Sequence, residues 1–495
     1  MRGGYRKGSG RKNMDSKKQP VTIYLDNAEK DLVNSLPLPA SHSFSQKCRK
    51  LINIGIENLK DSQEKNPCEI RFIDLFCGLG GIRIGFEQAL NEEGFVGKCV
   101  FSSDIKRSAV CAYKHYFHED AFCDITKIQP ARIPDFDFLL AGFPCQAFSQ
   151  AGLGRGFQDS RGTLFFDVAK ILLAKKPFGF VLENVEGLVT HDNGNTFKVI
   201  TNTLKDLGYS IETKVLNAKD FGLAQSRNRI YIIGHKLGNV KKLTDFQHHT
   251  AVFGEIIDES IPAKKTNFTQ KLLEHYNIED LYGKAIKDKR GGSNNIHSWD
   301  IGIKGEISTQ QKELLNMLLK QRRNKKWAEI IGIKWMDGMP LTEEMISSFY
   351  PHSNLHEMLN DLVKKGYLSY EHPKQLVGNK RVHDKSLKKG YNIVTGKLSF
   401  EYTKILSPSQ VTPTLVATDI QKLGVPVRDG IRPLTVNEGL KLFGYPSDYD
   451  LSYLKTTDAF DLLGNTVCVP VIKAVSKRLL ETHISHETMQ SLKAS

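Results

Sequence analysis

Four side chains in this sequence are of types that could do chemistry together. Cys145 lies in "AGFPCQAFSQAG", directly after the apolar run "FDFLLAGF". Glu183 sits near the end of "FGFVLENV", and Arg227 and Arg229 stand at the head of "RNRIYIIG". A thiol is a strong nucleophile once ionised, and a carboxyl group can give or take a proton. Guanidinium groups favour a thiolate or a developing negative charge. Each alone has a plainer explanation: a lone cysteine is usually a small core hydrophobe, and an arginine pair is usually surface. In this order, on loops next to apolar runs, they form a candidate site for nucleophilic catalysis.

A second constellation is built for a cofactor. "FIDLFCGLGGIRIGFEQA" reads as strand, glycine-rich turn and helix, with Gly78, Gly80 and Gly81 allowing a tight turn and close backbone approach. The next apolar run ends at Asp104 in "FSSDI", where a carboxylate can accept hydrogen bonds from ribose hydroxyls. These residues alone suit a nicotinamide dinucleotide or S-adenosylmethionine equally. The eight cysteines are scattered and none has CxxC spacing, so no metal site is expected and the chain reads as reduced and intracellular.

Elements that position these residues follow from periodicity. From Ile70 to about Gly234, short apolar runs alternate with helical stretches, the rhythm of βαβ units and a largely parallel sheet. The rhythm is lost from about 240 to 430, where a loop-like "DKRGGSNNIHSWD" precedes basic helical segments. Near 308–372, helices followed by a short strand suggest a small winged-helix insert. An apolar helical pattern returns beyond Arg432. At the other end, residues 1–20 read as a basic flexible arm. "VTIYLDN" and the two helical stretches after it, over 21–61, resemble a ribbon–helix–helix unit. In such a unit two chains pair their strands, and here Thr22 and Tyr24 would face DNA.

Composition agrees with a nucleic-acid partner. The 495 residues are 40% hydrophobic and 25% charged, with a net charge of +14. A basic balance favours a polyanion. No apolar run approaches the ~18–20 residues of a membrane span.

The motifs together resemble the C5-cytosine DNA methyltransferases of bacterial type II restriction–modification systems. They are, in order, "DLFCGLGG", "CDI", "AGFPCQAFS", "DSRGTLFFD", "ENV", "QSRNRIY", "PTLVATD", "RPLTVNEGLKLFGYP" and "GNTV". The resemblance implies an α/β, Rossmann-like S-adenosylmethionine-dependent domain over 68–238, a smaller target-recognition domain over 239–430, and a segment over 431–495 returning to the catalytic domain. It implies Cys145 as nucleophile, Glu183 as an acid at cytosine N3, and Arg227 and Arg229 supporting the base and a nearby phosphate. Phe76 would lie against the adenine of S-adenosylmethionine, Asp104 would hold its ribose, and Asp124 and Ile125 its adenine edge. Gly78, Leu79, Gly80, Gly81, Ile105, Phe143, Asn465 and Val467 would complete that pocket. Gln146, Ser149 and Thr414 would touch DNA.

Double-stranded DNA is the implied substrate, a cognate restriction endonuclease the functional partner, and the bacterial cytoplasm and nucleoid the setting. Asp104 stands where the family usually has glutamate. Two other readings share some of these motifs: the tRNA-modifying branch, whose recognition region is much shorter, and a DNA-binding repressor using the N-terminal unit, which could also pair two chains.

Overall fold

The computed structural model describes residues 69–144 and 164–494, apart from 237, 239, 290, 293, 379 and 396–399, with side chains described as far as 484. Of the first 68 residues it describes 30, 33, 43–45, 47, 48 and 52, and all but Ser43 are helical. The strand expected at Val21–Asn27, with Thr22 and Tyr24, lies outside the described residues. So do Cys145, Gln146 and Ser149. The chain divides into two compact units, 1–68 and 69–495.

In the second unit the first half is a doubly wound layer. Its elements are β1 (Glu69–Leu75), α1 (Gly81–Glu92), β2 (Val96–Ser103), α2 (Arg107–Phe117), β3 (Phe138–Gly142), α3 (Leu164–Lys175), β4 (Gly179–Val185), α4 (Asn195–Asp206), β5 (Ser210–Asn217) and β6 (Asn228–His235). They build a six-stranded sheet of order β2-β1-β3-β4-β6-β5. Strands β1 to β4 run parallel, and β6 is antiparallel to both neighbours. Helices cover both faces, which is why β1, β3 and β4 are near-continuous apolar runs. Side chains alternate between two cores: Phe72, Phe138 and Val181 meet Phe86 on one face, while Ile73, Leu139 and Leu182 meet Phe165 and Leu172 on the other.

Beyond β6 come α5 (Asn267–His275), β7 (Ala285–Ile286) and β8 (Asn295–Ile296). A helical stretch follows: α6 (Thr309–Gln321), α7 (Lys326–Ile331), α8 (Glu343–Ser347) and α9 (Leu355–Lys364). Next are β9 (Leu368–Glu371), β10 (Lys374–Val377), β11 (Lys380–His383) and β12 (Gly390–Ile393), then β13 (Lys404–Ile405), β14 (Leu423–Val427) and β15 (Gly430–Pro433). A second sheet has the order β15-β14-β13-β7-β8. The insert around α6 to β12 has its own core, including Trp299, Leu318, Leu359, Tyr367 and Ile393. It therefore runs further than the 308–372 expected from sequence. The second strand of its hairpin returns only at β12, after the polar stretch "DKSLKK".

Finally α10 (Val436–Phe443), α11 (Thr456–Asn465) and α12 (Val469–Ala494) rejoin the first layer. Ile472, Val475 and Leu479 of α12 belong to the same core as Phe72 and Phe86. The stretch Thr456–Ile484, which covers α11 and the first part of α12, meets a membrane span's length and composition only. The window that qualifies is 72% buried within the fold, so its apolarity is that of core.

Candidate active site

A cavity of about 660 Å³ opens at the carboxyl ends of β1, β3 and β4. Strand order reverses there between β1 and β3, the place where open α/β sheets bind ligands. Phe76, Gly78, Leu79, Asp104, Ile105, Asp124 and Ile125 line one part of it. Phe143, Pro144, Glu183, Asn184, Arg227, Arg229, Asn465 and Thr466 line the rest.

The loop after β1 is tightly constrained. Phe76 has φ 54° and Gly78 φ 53°, both left-handed, and such a conformation is uncommon for a phenylalanine. The Gly78 N–H donates to Asp104 Oδ2 at 3.0 Å, and the Lys106 N–H donates to Asp104 Oδ1 at 2.8 Å. Asp104 thus ties the ends of β1 and β2 together and keeps lone pairs for a ligand. Asp124 Oδ1 accepts from the Thr126 N–H and hydroxyl, and these bonds with nearby Lys127 hold its carboxyl below the usual range.

Glu183 is set by register. It pairs with Tyr231 across β4–β6, and Arg229 pairs with Val185, so Glu183 and Arg229 are diagonal neighbours on one face. Arg229 Nε lies 3.1 Å from Glu183 Oε1. Glu183 is buried, and burial pushes its carboxyl up from the usual range while Arg229 and Arg227 pull it back down. The next residue, Asn184, points to the other face. Its amide donates to the Phe143 carbonyl at 2.7 Å and so fixes the chain one residue before Pro144. On β3, a Cβ added at Gly142 would lie 3.7 Å from Glu183 Oε2, so the glycine leaves space beside the carboxyl group.

Arg227 does something else. It is almost fully buried and donates to three carbonyls: Leu415 at 2.8 Å, Gly464 at 3.2 Å and Thr466 at 2.8 Å. Burial, with Arg229 nearby, pushes it down to about 10. Its guanidinium clamps the wall of the cavity.

Residues 70–481 match the family described as C-5 cytosine-specific DNA methylase. The chain belongs to that family. It is 56% identical over 425 residues to the type II methyltransferase M.NlaIV of Neisseria lactamica, covering 84% of this chain and 99% of that one. It is 55% identical over 425 residues, with the same coverage, to the type II methyltransferase M.NgoBV of Neisseria gonorrhoeae. With M.BanI of Aneurinibacillus aneurinilyticus the identity is 38% over 442 residues, covering 84% and 97%. The protein is a DNA (cytosine-5-)-methyltransferase of the type II restriction–modification class. The family match begins after the N-terminal unit.

Within this methyltransferase, several residues singled out from sequence stand elsewhere than expected. Gly80 and Gly81 do not line the cavity. A Cβ at Gly80 would lie 2.2 Å from the Phe117 ring, and one at Gly81 would lie 2.6 Å from Tyr445 Oη and 2.8 Å from Val467 Cγ2. Both glycines serve close packing of the loop and α1. Val467 packs behind that wall, and its neighbour Thr466 faces the cavity. Thr414 donates its hydroxyl to the Ser226 carbonyl at 2.6 Å and joins two segments of the chain. Arg227 lines the cavity, and its guanidinium is held there by the three carbonyls of that wall.

Sequence reasoning passed over three features. Asn184 was visible in "ENV" but carried no assigned role. Thr466 follows Asn465 and gave no separate signal. Lys106 pairs with Asp461, whose carbonyl accepts from the Asn465 amide at 2.8 Å, so a cross-link ties the β2 end to α11. No spacing rule links residues so far apart.

S-adenosylmethionine, the donor this family implies, fits the residues present. The cavity volume is in the range of small-molecule sites. One wall offers an aromatic face at Phe76 and a carboxylate at Asp104, and the loop between them has no side chain at Gly78.

Proposed function

We propose that this enzyme methylates C5 of one cytosine within a specific duplex sequence, and so protects that DNA from a cognate restriction endonuclease. Phe76, Asp104, Asp124 and Asn465 would hold S-adenosylmethionine. Bound there, it supplies an electrophilic methyl group. Glu183 and Arg229 would receive the cytosine, and Cys145 would act as nucleophile. The observation that carries this reading is the buried Glu183–Arg229 pair on the wall that also contains Pro144. Cys145 follows Pro144 directly in the sequence.

Cytosine C5 is a poor nucleophile, and attack of a thiolate at C6 changes that. A sulfur–carbon bond forms at C6, the C5–C6 double bond opens, and the electron pair is delocalised toward N3, where Glu183 donates a proton. The resulting enamine carbon C5 can accept a methyl group. Loss of the C5 proton then expels the thiolate, restores the double bond and returns the N3 proton. Burial raises the Glu183 carboxyl, which keeps a proton available for the first step. General acid help of this kind is typically worth ~10²–10⁴-fold in rate.

A base inside a duplex cannot reach such a cavity, so the cytosine must flip out, at a cost of a few kcal/mol. Residues 239–430 would read the sequence around it. The N-terminal unit, 21–61, would bind the operator of the enzyme's own gene; unchanged promoter binding after deletion of residues 1–60 would end that idea. The covalent step is tested with duplex DNA carrying 5-fluorocytosine, in which the C5 fluorine blocks elimination. The wild type should form a stable protein–DNA adduct and Cys145→Ser should not. Equal adduct formation by both proteins, or none with a DNA that the wild type methylates, would refute the assigned nucleophile.

A further inference from the structure

The hairpin β10–β11 has no role in the cavity and stands on a winged-helix frame. Helices α6 and α7 are followed by a bridge strand at Leu341, then by α8 and α9, then by the hairpin strands. Leu341 pairs with Tyr391 of β12, and β12 pairs with β9. The base of the hairpin is anchored, since β12 is buried along its whole length. Its outer half is not: Gln375, Leu376 and Val377 and all four residues of β11 are exposed.

Two properties of this outer half point to a partner. Val377 is 65% exposed, and Leu376 and Val382 are each 51% exposed. A bare two-stranded ribbon is marginal in water, and apolar side chains at its tip add to the cost. Charge gives the partner's nature. Residues 374–389 carry six Lys or Arg and one acidic residue, Asp384. That acid is occupied, accepting from Ser386 and Gln375. Lys374, Lys380, Arg381 and Lys385 form no ion pair with any described residue. Helix α9 is a poorer candidate. Its exposed face holds His356, Glu357, Asn360 and Lys364; His356 bonds to Glu343, and Lys365 pairs with Asp361.

We propose that this wing docks on duplex DNA beside the methylated site, with its cations on phosphates and its aliphatic tip in a groove. The inference rests on the DNA-methyltransferase reading and adds a contact surface outside the cavity. The major groove is about 12 Å wide and admits a two-stranded ribbon. Each phosphate neutralised by a cation adds about 0.9 to the slope of log affinity against log salt.

The test uses the full chain and the triple variant Lys374→Ala, Lys380→Ala, Arg381→Ala. Binding to a long duplex containing the methylated sequence is measured over a salt series, beside kcat at saturating DNA and the melting temperature. The variant should bind more weakly, on the order of 10-fold or more near physiological salt, with a slope shallower by up to about 2.7. Its kcat and melting temperature should match the wild type. Unchanged affinity and slope would overturn the proposal and direct attention to a protein partner for the wing. A fall in kcat with unchanged affinity would overturn it too. A wild type that transfers no methyl group to any DNA would sink the functional reading itself, a result separate from the behaviour of the variant.

Discussion

Arg227 and Arg229 are two residues apart, yet they should fail in different ways when removed. Arg227 donates to carbonyls of Leu415, Gly464 and Thr466, which belong to two separate stretches of the chain. Its guanidinium also lies 5.1 Å from the Phe443 ring centroid. Hydrogen bonds to charged groups contribute about 1.5–3 kcal/mol each, and truncation leaves buried carbonyls without donors. The three bonds are not independent, and water can enter the vacated space. Arg227→Ala should therefore cost roughly 3–6 kcal/mol, a large share of the ~5–15 kcal/mol stability of a typical domain. Arg227→Lys keeps the charge but cannot reach three carbonyls with the same fork, and should fall between wild type and alanine.

Arg229→Ala removes the partner of a buried carboxyl group, but Glu183 can escape the cost by keeping its proton. Its stability loss should be the smaller, and its mark should be on the pH profile. Without the Arg229 charge, Glu183 is raised further, and the alkaline limb of methyl transfer should move to higher pH. Urea unfolding at fixed pH and transfer rates over a pH series read out the two effects. If Arg227→Ala and Arg227→Lys both unfold within about 1 kcal/mol of wild type, or if Arg229→Ala costs more than Arg227→Ala, the division of labour argued for these two residues is wrong.

Three further outcomes are expected. Glu183→Gln keeps the shape of the pocket but cannot donate a carboxyl proton, so methyl transfer should fall by ~10²–10⁴-fold with little change in melting temperature; a variant within a few-fold of wild type would remove the acid role. Asp74 is fully buried, and burial pushes it up to about 8 against the pull of Arg83. Because its folded value is raised, wild-type stability relative to Asp74→Asn should be greatest below the ordinary aspartate range and should fall as pH climbs through about 8; parallel stability–pH curves for the two proteins would contradict this. At Gly464 a Cβ would sit 2.1 Å from the Ala417 backbone nitrogen, so Gly464→Ala should destabilise by about 1–3 kcal/mol or more and weaken S-adenosylmethionine binding, while Gly187→Ala, with nothing within 4 Å, should unfold like wild type.

What could be read from the sequence depended on how local the physics was. Strands β1, β3 and β4 are covered on both faces, so their apolar runs were unmistakable. Strand β5 was passed over because it lies at the sheet edge, and "SIETKVLN" is mostly exposed or half-buried. Glu183, Asp104 and the Phe76–Gly78 turn were legible because their residue types match a task at the end of a strand. The work of Arg227 was not, since its acceptors lie 188 to 239 residues away in sequence. Gly80 and Gly81 looked like ligand glycines for a related reason: the rings and methyl groups that exclude a side chain there come from α2 and from the returning C-terminal segment. The insert was cut short at 372 because a hairpin with an exposed, cationic outer half has no apolar alternation to follow.

The cavity is proposed to methylate cytosine in DNA through Cys145. Genome-wide 5-methylcytosine sequencing of a methylation-free bacterial host expressing this chain, with Cys145→Ser in parallel, tests this proposal most directly. Methylation should be confined to one short duplex motif in the wild type and absent in the variant. Methylation of the same motif by Cys145→Ser, or no methylated DNA with either folded protein, would contradict the proposal.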